Sequence, residues 1–190
     1  MLDRREFVRK LLLDRNNLLV VTGLGSPTYD VAACGDHPLN FYLWGAMGSA
    51  AMIGLGLALA QPSRRVLVLT GDGEALMGMG SLATIGVKQP ANLAIVVLDN
   101  QHYAETGMQP SHTRAGIDLV AVAKACSFAD GLHVSGMGAV SGIRDLVHNG
   151  RGPLLVQARI SSDPTPRALP TRDGHAIKLR FTEAVSRLSG

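Results

Sequence analysis

Residues 71–100 read GDGEALMGMGSLATIGVKQPANLAIVVLDN, and they contain the strongest sequence signals for the fold. It opens with Gly71-Asp72-Gly73, directly after an apolar run at 66–70, and it ends with Asp99-Asn100, directly after an apolar run at 93–98. The Met-, Gly- and Ala-rich residues 74–89 between these ends predict a helix. The order strand, glycine turn, helix, strand predicts a parallel α/β sheet, in which ligands bind at the carboxyl ends of the strands.

The glycine turn has the chemistry of a diphosphate site. Gly71 and Gly73 allow a sharp turn and a close approach of ligand to backbone, and the amides of residues 73–75 at a helix start can hold phosphate oxygens. Asp72 would repel a phosphate by roughly 4 kcal/mol per charge pair at ~4 Å and a dielectric constant of ~20. A divalent cation between them reverses the sign. A carboxylate, the Asn100 amide oxygen and a carbonyl form a set suited to Mg²⁺.

These two motifs resemble a known family. Gly71-Asp72-Gly73 followed by Asn100 after an apolar strand resembles the diphosphate-binding (PP) domain of thiamine-diphosphate enzymes. The segments MGSLATIG at 79–86 and VLDNQHYAETG at 97–107 resemble the beta (small) subunits of sulfopyruvate and phosphonopyruvate decarboxylases. The resemblance implies an α/β, thiamine-diphosphate-binding fold, with a central, mostly parallel sheet and helices on both faces.

The resemblance also implies cofactors and site residues. The cofactors are thiamine diphosphate and Mg²⁺, and the metal ligands are Asp72, the Asn100 side chain and the His102 carbonyl. Glu105 and Thr106 lie where related enzymes place residues near the reacting carbon, so they are the candidate catalytic residues. The remaining cofactor contacts in this part of the chain are Gly71, Gly73, Glu74, Ala75 and Tyr103. Glu74 would add repulsion to a diphosphate unless its side chain points away.

Two earlier segments are candidates for cofactor contacts. Gly23 and Gly25 follow a predicted strand at 18–22 and fit a glycine turn near the diphosphate; the alternative, a nicotinamide fingerprint, lacks its third glycine and its acidic residue. Farther along, the resemblance implies that Met47 wedges between the two cofactor rings and that the Gly45 carbonyl accepts from the exocyclic amine. The alternative for Met47 is ordinary core filling.

The polar loop at 101–113 contains further candidates. His112, together with Arg114 just beyond the loop, could pair with an anionic substrate group, and simple solvent exposure is the alternative for each loop residue. Loops on a rigid scaffold carry specificity. The geometry of this loop does not follow from the sequence.

Composition restricts the functional class. The 190 residues predict a single domain, with a core at about 18–160 and a C-terminal arm and helix at 161–190. Hydrophobic residues make up 46 % and charged residues 17 %, which favours a face covered by another subunit. A net charge of +3 with no recognised motif argues against nucleic-acid binding.

The same composition favours a cytoplasmic protein without a membrane segment. Two cysteines, Cys34 and Cys126, predict reduced thiols. The first residues are charged, so no secretory signal is expected. The uncharged residues 43–60 are diluted by glycine and predict a buried helix rather than a membrane span.

The rest of the chain predicts alternating helices and strands. Asp3 caps a helix that ends near residue 13, with Glu6 in capping-box position. Further predicted strands lie at 40–44, 132–134 and 153–160. One further predicted helix begins at 45–48, and three others lie at 118–128, 139–148 and 181–188. Residues 161–173 contain Pro164, Pro166 and Pro170, which predict an irregular arm that packs on the body or on a partner.

The resemblance also indicates what the chain lacks. In this family a glutamate from the pyrimidine-binding (PYR) domain activates the cofactor, and the only glutamate before Glu74 is Glu6, inside a predicted helix. The chain is therefore expected to be the PP subunit of a hetero-oligomer, with a separate PYR subunit, that converts a small 2-oxoacid non-oxidatively to an aldehyde. The alternatives are a carboligase, a 2-oxoacid oxidoreductase subunit (which would bring iron–sulfur cysteines), a nicotinamide-binding module and a non-catalytic regulatory subunit.

Overall fold

The computed structural model describes residues 1–163 and 165–188. Pro164, in the predicted arm, and residues 189–190, at the end of the predicted C-terminal segment, lie outside the described residues.

Six parallel strands form the central sheet, as the sequence predicts. In spatial order they run β2-β1-β3-β4-β8-β7. Their bounds are β1 Leu19–Thr22, β2 Asn40–Tyr42, β3 Val66–Gly71, β4 Leu93–Asp99, β7 Asp130–Val134 and β8 Leu154–Arg159. Two short strands, β5 (His102–Tyr103) and β6 (Gln109–Pro110), form a separate antiparallel hairpin within the polar loop.

Helices cover both faces of the sheet. Their bounds are α1 Arg4–Leu11, α2 Ser26–Ala33, α3 Ala50–Ala60, α4 Asp72–Met77, α5 Ser81–Lys88, α6 Leu119–Ala125, α7 Val140–Asn149 and α8 Gly174–Arg187, with a 3₁₀ turn at Met137–Ala139. Helices α1, α2 and α7 contribute buried side chains to one core, and α3, α5 and α6 contribute to the other. Along β3, residues 67 and 69 face the first core while 66 and 68 face the second. This alternation explains why the strand is an unbroken apolar run.

The connections create a crevice between β1 and β3. After β1 the chain passes through α2 to β2 on one side, and after β2 it passes through α3 to β3 on the other side. The strand order therefore reverses between two adjacent strands, and the loops that follow them diverge at their carboxyl ends. Such a switch point is where open α/β sheets bind ligands.

The helix predicted over residues 74–89 is two helices, α4 and α5, separated at Gly78–Gly80. At Gly78 a Cβ atom would lie 2.1 Å from the carbonyl oxygen of Gly48, so two backbone segments touch there. The break allows this contact, which a continuous helix with larger side chains would prevent.

Other boundaries also differ from the predicted ones. The small-residue helix α3 begins at Ala50 rather than at 45–48, because residues 45–49 form a loop in which Ala46 (φ 53°) and Gly48 (φ 89°) have left-handed backbone angles. Helix α8 begins at Gly174, seven residues before the predicted start, where Asp173 caps it by accepting from two amides. In α1, Asp3 accepts from the Glu6 amide as predicted.

Among the described residues, no helix is both long and apolar enough to cross a membrane.

Candidate active site

A cleft at the carboxyl edge of the sheet contains most of the predicted site residues. It is lined after β1 by Leu24, Ser26 and Pro27, after β2 by Met47, after β3 by residues 71–74, after β4 by Asn100 and residues 102–106, and after β8 by Ile160. The predicted residues that line it are Met47, Gly71, Asp72, Gly73, Glu74, Asn100, His102, Tyr103, Glu105 and Thr106. Four others, Gly23, Gly25, Gly45 and Ala75, do not line the cleft, and the first two support residues that do.

The Asp72 carboxylate is buried at the start of α4 and is held by the Ser111 hydroxyl group. Ser111 donates to Oδ2 in a short hydrogen bond, and the Thr113 hydroxyl lies 3.3 Å from the same oxygen. Burial raises the pKa of Asp72, and the nearby charge of Asp99 raises it further, whereas the Ser111 hydrogen bond opposes the increase. A cation beside this carboxylate would remove the penalty of burying an unpaired charge.

Asp99, at the end of β4, belongs to the same buried network. Thr113 donates its single hydroxyl proton, and at 2.8 Å the Asp99 Oδ1 atom is the nearer acceptor. Gln157 donates to Oδ2 at 2.7 Å, and the Arg159 guanidinium lies 3.3 Å from that oxygen. These contacts fix Asp99 as a support and leave Asp72 closer to the cleft.

Asn100 and His102 form a tight turn at the tip of β4. The Asn100 amide oxygen accepts from the His102 backbone amide at 2.9 Å, and one of its two lone pairs remains. The Arg114 guanidinium, which can only donate, lies 2.8 Å from His102 Nε2, so Nε2 accepts. The proton of the neutral ring is therefore on Nδ1, which donates to the Asn100 carbonyl at 2.8 Å.

The two glycines of the turn after β3 have different surroundings. At Gly73 a Cβ atom would lie 2.7 Å from the Tyr103 ring, so glycine allows that ring to pack on the backbone. At Gly71 a Cβ atom would meet nothing within 4 Å, so open space lies over the strand tip beside Asp72. The turn therefore offers bare backbone at Gly71 and a carboxylate to a ligand, which fits the chemistry of a metal-bound diphosphate.

The Glu74 side chain points away from the open part of the cleft into the protein. It is 4 % exposed, and its Oε2 atom accepts from the Thr70 hydroxyl at 2.9 Å. A Cβ atom on Gly23 would lie 1.7 Å from the same oxygen. Gly23 is therefore required as glycine to make room for a buried carboxylate, a reason that sequence analysis missed.

Glu74 also connects the two loops that flank the cleft. Its Oε1 atom accepts from the Ala50 amide at 3.3 Å. Burial raises the pKa of Glu74, and the hydrogen bonds from Thr70 and from the amides of Ala50, Gly48 and Leu24 oppose the increase. One carboxylate thus tethers the loop after β1 and the loop that carries Met47, which is 39 % exposed at the edge of the cleft.

Glu105 is another carboxylate that lines the cleft, next to the loop after β1. Its side chain packs on Gly25, whose φ of 81° favours glycine. Arg167, from the C-terminal arm, approaches Glu105 with 3.3 Å between Nη2 and Oε2. His112, a candidate for pairing with an anionic substrate group, has its Nδ1 atom 2.9 Å from the Tyr103 hydroxyl oxygen.

Three further residues at the site, Ser111, Thr113 and Arg167, have no recognisable signal in the sequence. Ser111 and Thr113 end the polar loop two residues apart, and only the folding of that loop onto α4 brings them to Asp72. Within the described part of the chain, no three His, Cys, Asp or Glu side chains cluster as a metal site. The predicted metal ligands are instead one carboxylate, one amide oxygen and one carbonyl.

The chain is similar to known proteins in sequence and in fold. The family described as "Thiamine pyrophosphate enzyme, C-terminal TPP binding domain" matches residues 23–158. A solved structure of a thiamin diphosphate-dependent enzyme from Mycobacterium smegmatis superposes with a TM-score of 0.70 at 17 % identity, over 85 % of this chain and 32 % of that one. At this identity the match shows a shared fold.

Three curated relatives are similar in sequence. The sulfopyruvate decarboxylase subunit beta of Methanothermobacter thermautotrophicus is 45 % identical over 128 residues, 67 % of this chain and 68 % of the relative. The subunit of the same name from Methanococcus maripaludis is 34 % identical over 98 % of this chain and 99 % of its own length. The phosphonopyruvate decarboxylase of Streptomyces viridochromogenes is 47 % identical over 57 % of this chain and 27 % of its own length.

Proposed function

Because the chain belongs to the thiamine pyrophosphate enzymes, through their C-terminal TPP-binding domain, we propose that it is the cofactor-binding subunit of a 2-oxoacid decarboxylase. The relatives named as sulfopyruvate and phosphonopyruvate decarboxylases support this reaction class. The observation that carries the proposal is the geometry at the switch point. Asp72 and Asn100 line one cleft there, beside open space over Gly71.

In this proposal the tips of β3 and β4 hold the metal and the diphosphate. Asp72, the Asn100 amide oxygen and the His102 carbonyl are the ligands of Mg²⁺, a hard cation that prefers oxygen donors. The bare backbone of Gly71, with the amides of Gly73, Glu74 and Ala75, holds phosphate oxygens at a helix start. The Glu74 carboxylate, turned inward, keeps the loops in place.

The ring part of the cofactor would extend toward the Met47 loop. Met47 would support the cofactor rings and the Gly45 carbonyl would accept from the exocyclic amine, while Gly23 and Gly25 shape the facing loop. When bound, thiamine diphosphate would supply the nucleophile for the 2-oxo carbon and the electron sink for decarboxylation. Glu105 and Thr106 of this chain orient the substrate and move protons at the reacting carbon.

We propose further that a separate PYR subunit completes the site in a hetero-oligomer. The name "subunit beta" of two relatives supports an assembly of more than one chain. The partner supplies the glutamate that activates the cofactor, a general acid–base contribution of roughly 10²- to 10⁴-fold in rate. The cytoplasmic location stays a prediction.

The test is an assay of CO₂ and aldehyde release from sulfopyruvate, with thiamine diphosphate and Mg²⁺ present. The purified chain is assayed alone and mixed with candidate PYR subunits from the same genome. We expect turnover with both chains, and turnover at least roughly 100-fold slower with this chain alone. Full activity of the isolated chain would refute the separate subunit. Failure of the mixtures to act on any 2-oxoacid would refute the decarboxylase.

A further inference from the structure

The charges that line the cleft do not suit a substrate with two anionic groups. Among the described lining residues, the ionisable groups other than His102 and Tyr103 are carboxylates: Asp72, Glu74 and Glu105. A bound diphosphate adds further negative charge. A 2-oxoacid that also carries a sulfonate or phosphonate therefore requires a second cation at the cleft, because the proposed metal ion is already bound to the diphosphate.

The C-terminal arm brings such a cation to the mouth of the cleft. The arm (residues 161–173, with Pro164 outside the described residues) is fixed where the Ser161 amide donates to the Leu2 carbonyl at 2.9 Å. It is fixed again where Arg5 donates to the Pro166 carbonyl at 2.7 Å and where the Trp44 indole donates to the Thr171 carbonyl at 2.8 Å. These contacts anchor the arm on both sides of Arg167.

The surroundings of Arg167 hold its guanidinium loosely and leave it accessible. The group lies 5.5 Å from the centroid of the Tyr29 ring and 3.3 Å from Glu105, and its side chain is 62 % exposed. A single, exposed ion pair of this kind contributes little. The guanidinium can therefore exchange Glu105 for a ligand anion at little cost while Tyr29 keeps it at the cleft. Its planar fork of donors suits a sulfonate or phosphonate with several oxygens.

We propose that Arg167 binds the second anionic group of the substrate, a sulfonate or a phosphonate, and so selects such 2-oxoacids over pyruvate. This inference rests on the proposed function and adds a specificity-determining residue to the site. Exchange of Arg167 onto the substrate also releases Glu105 toward the reacting carbon. The arm, which lies outside the matched residues 23–158, thereby becomes part of the substrate site.

The test measures ligand binding to the full chain by calorimetry, first with thiamine diphosphate and Mg²⁺ and then, on the loaded chain, with sulfopyruvate, phosphonopyruvate and pyruvate. We expect Arg167→Met to weaken sulfopyruvate or phosphonopyruvate binding by roughly 10-fold or more and to leave pyruvate and cofactor binding within about twofold. Arg167→Lys should restore part of the loss. The matched control is Arg172→Met, an exposed arginine of the same arm, with an expected change below about twofold.

Sulfopyruvate and phosphonopyruvate carry a second anionic group, and comparing them identifies the substrate. Only the one that is the natural substrate should bind tightly and lose affinity on Arg167→Met. The proposal would be overturned if Arg167→Met weakened the binding of pyruvate as much as that of sulfopyruvate and phosphonopyruvate. It would also be overturned if Arg172→Met had an equal effect, or if Arg114→Met caused the loss instead. A loaded wild-type chain that binds none of the three acids would overturn it too, and in that case the cofactor function stands. A wild-type chain that does not bind thiamine diphosphate would instead refute the proposed function itself.

Discussion

Gly23→Ala tests whether the inward Glu74 carboxylate organises the cleft. The added Cβ atom would lie 1.7 Å from Glu74 Oε2, so the carboxylate has to leave its position and the Thr70 hydrogen bond is lost. A hydrogen bond to a charged group is worth about 1.5–3 kcal/mol, and overpacking adds about 1 kcal/mol. We therefore expect the free energy of unfolding to fall by about 3 kcal/mol, a large part of the ~5–15 kcal/mol typical of a domain.

The assay is urea unfolding followed by far-UV circular dichroism, with Gly56→Ala as the matched control. At Gly56, inside α3, a Cβ atom meets nothing within 4 Å, so this variant should gain about 0.5–1 kcal/mol. A double-mutant cycle isolates the cause, because Gly23→Ala should cost less than about 1 kcal/mol when Glu74 is already alanine. An equal cost of Gly23→Ala in both backgrounds would refute the reasoning.

Two further predictions concern the loops around the cleft. Burial raises the pKa of Glu74, so over a range of pH the folded state keeps a proton that the unfolded state releases. The contribution of Glu74 to stability is therefore full below about pH 4.5 and declines as pH rises through the raised pKa. The stability of wild type relative to Glu74→Gln, measured by unfolding at several pH values, should fall over that window, and a flat difference would contradict the cause. Gly78→Ala puts a Cβ atom 2.1 Å from the Gly48 carbonyl oxygen, so it should lower the free energy of unfolding by about 2 kcal/mol or more in the same assay. At Gly80 a Cβ atom meets nothing within 4 Å, so the control Gly80→Ala should change that free energy by less than about 1 kcal/mol. Similar costs for both alanines would show that the backbone contact does not matter.

The sequence predicts the sheet well because its signals are local. Each central strand is a short apolar run that ends in glycine or polar residues, and the Gly71-Asp72-Gly73 turn and Asn100 end two neighbouring strands. Parallel strands align their carboxyl ends, so the approach of Asp72 and Asn100 follows from the order of elements.

Features that depend on distant contacts do not follow from the sequence. The break between α4 and α5 depends on Gly48, which is in contact with Gly78 only after folding. Ser111 reaches Asp72 across 39 residues. Residues so far apart are brought together by the loop and by the packing of α4, and no local pattern records that approach.

The C-terminal arm illustrates the same limit. Its prolines predict an irregular segment, and the structure shows such a segment lying on the body. The contact between Arg167 and Glu105 spans 62 residues, and an arginine in a proline-rich stretch resembles any solvated charge. Its position at the mouth of the cleft becomes visible only with the fold.

The most direct test of the central claim is calorimetric titration of the chain with thiamine diphosphate, with and without Mg²⁺, for wild type and Asp72→Asn. Asp145→Asn, at an exposed position of α7, is the control. Loss of the Asp72 charge next to the cation should weaken Mg²⁺-dependent binding by on the order of 100-fold or more. We expect tight binding that needs both Mg²⁺ and Asp72. Binding of equal strength without Mg²⁺ or with Asp72→Asn would contradict it.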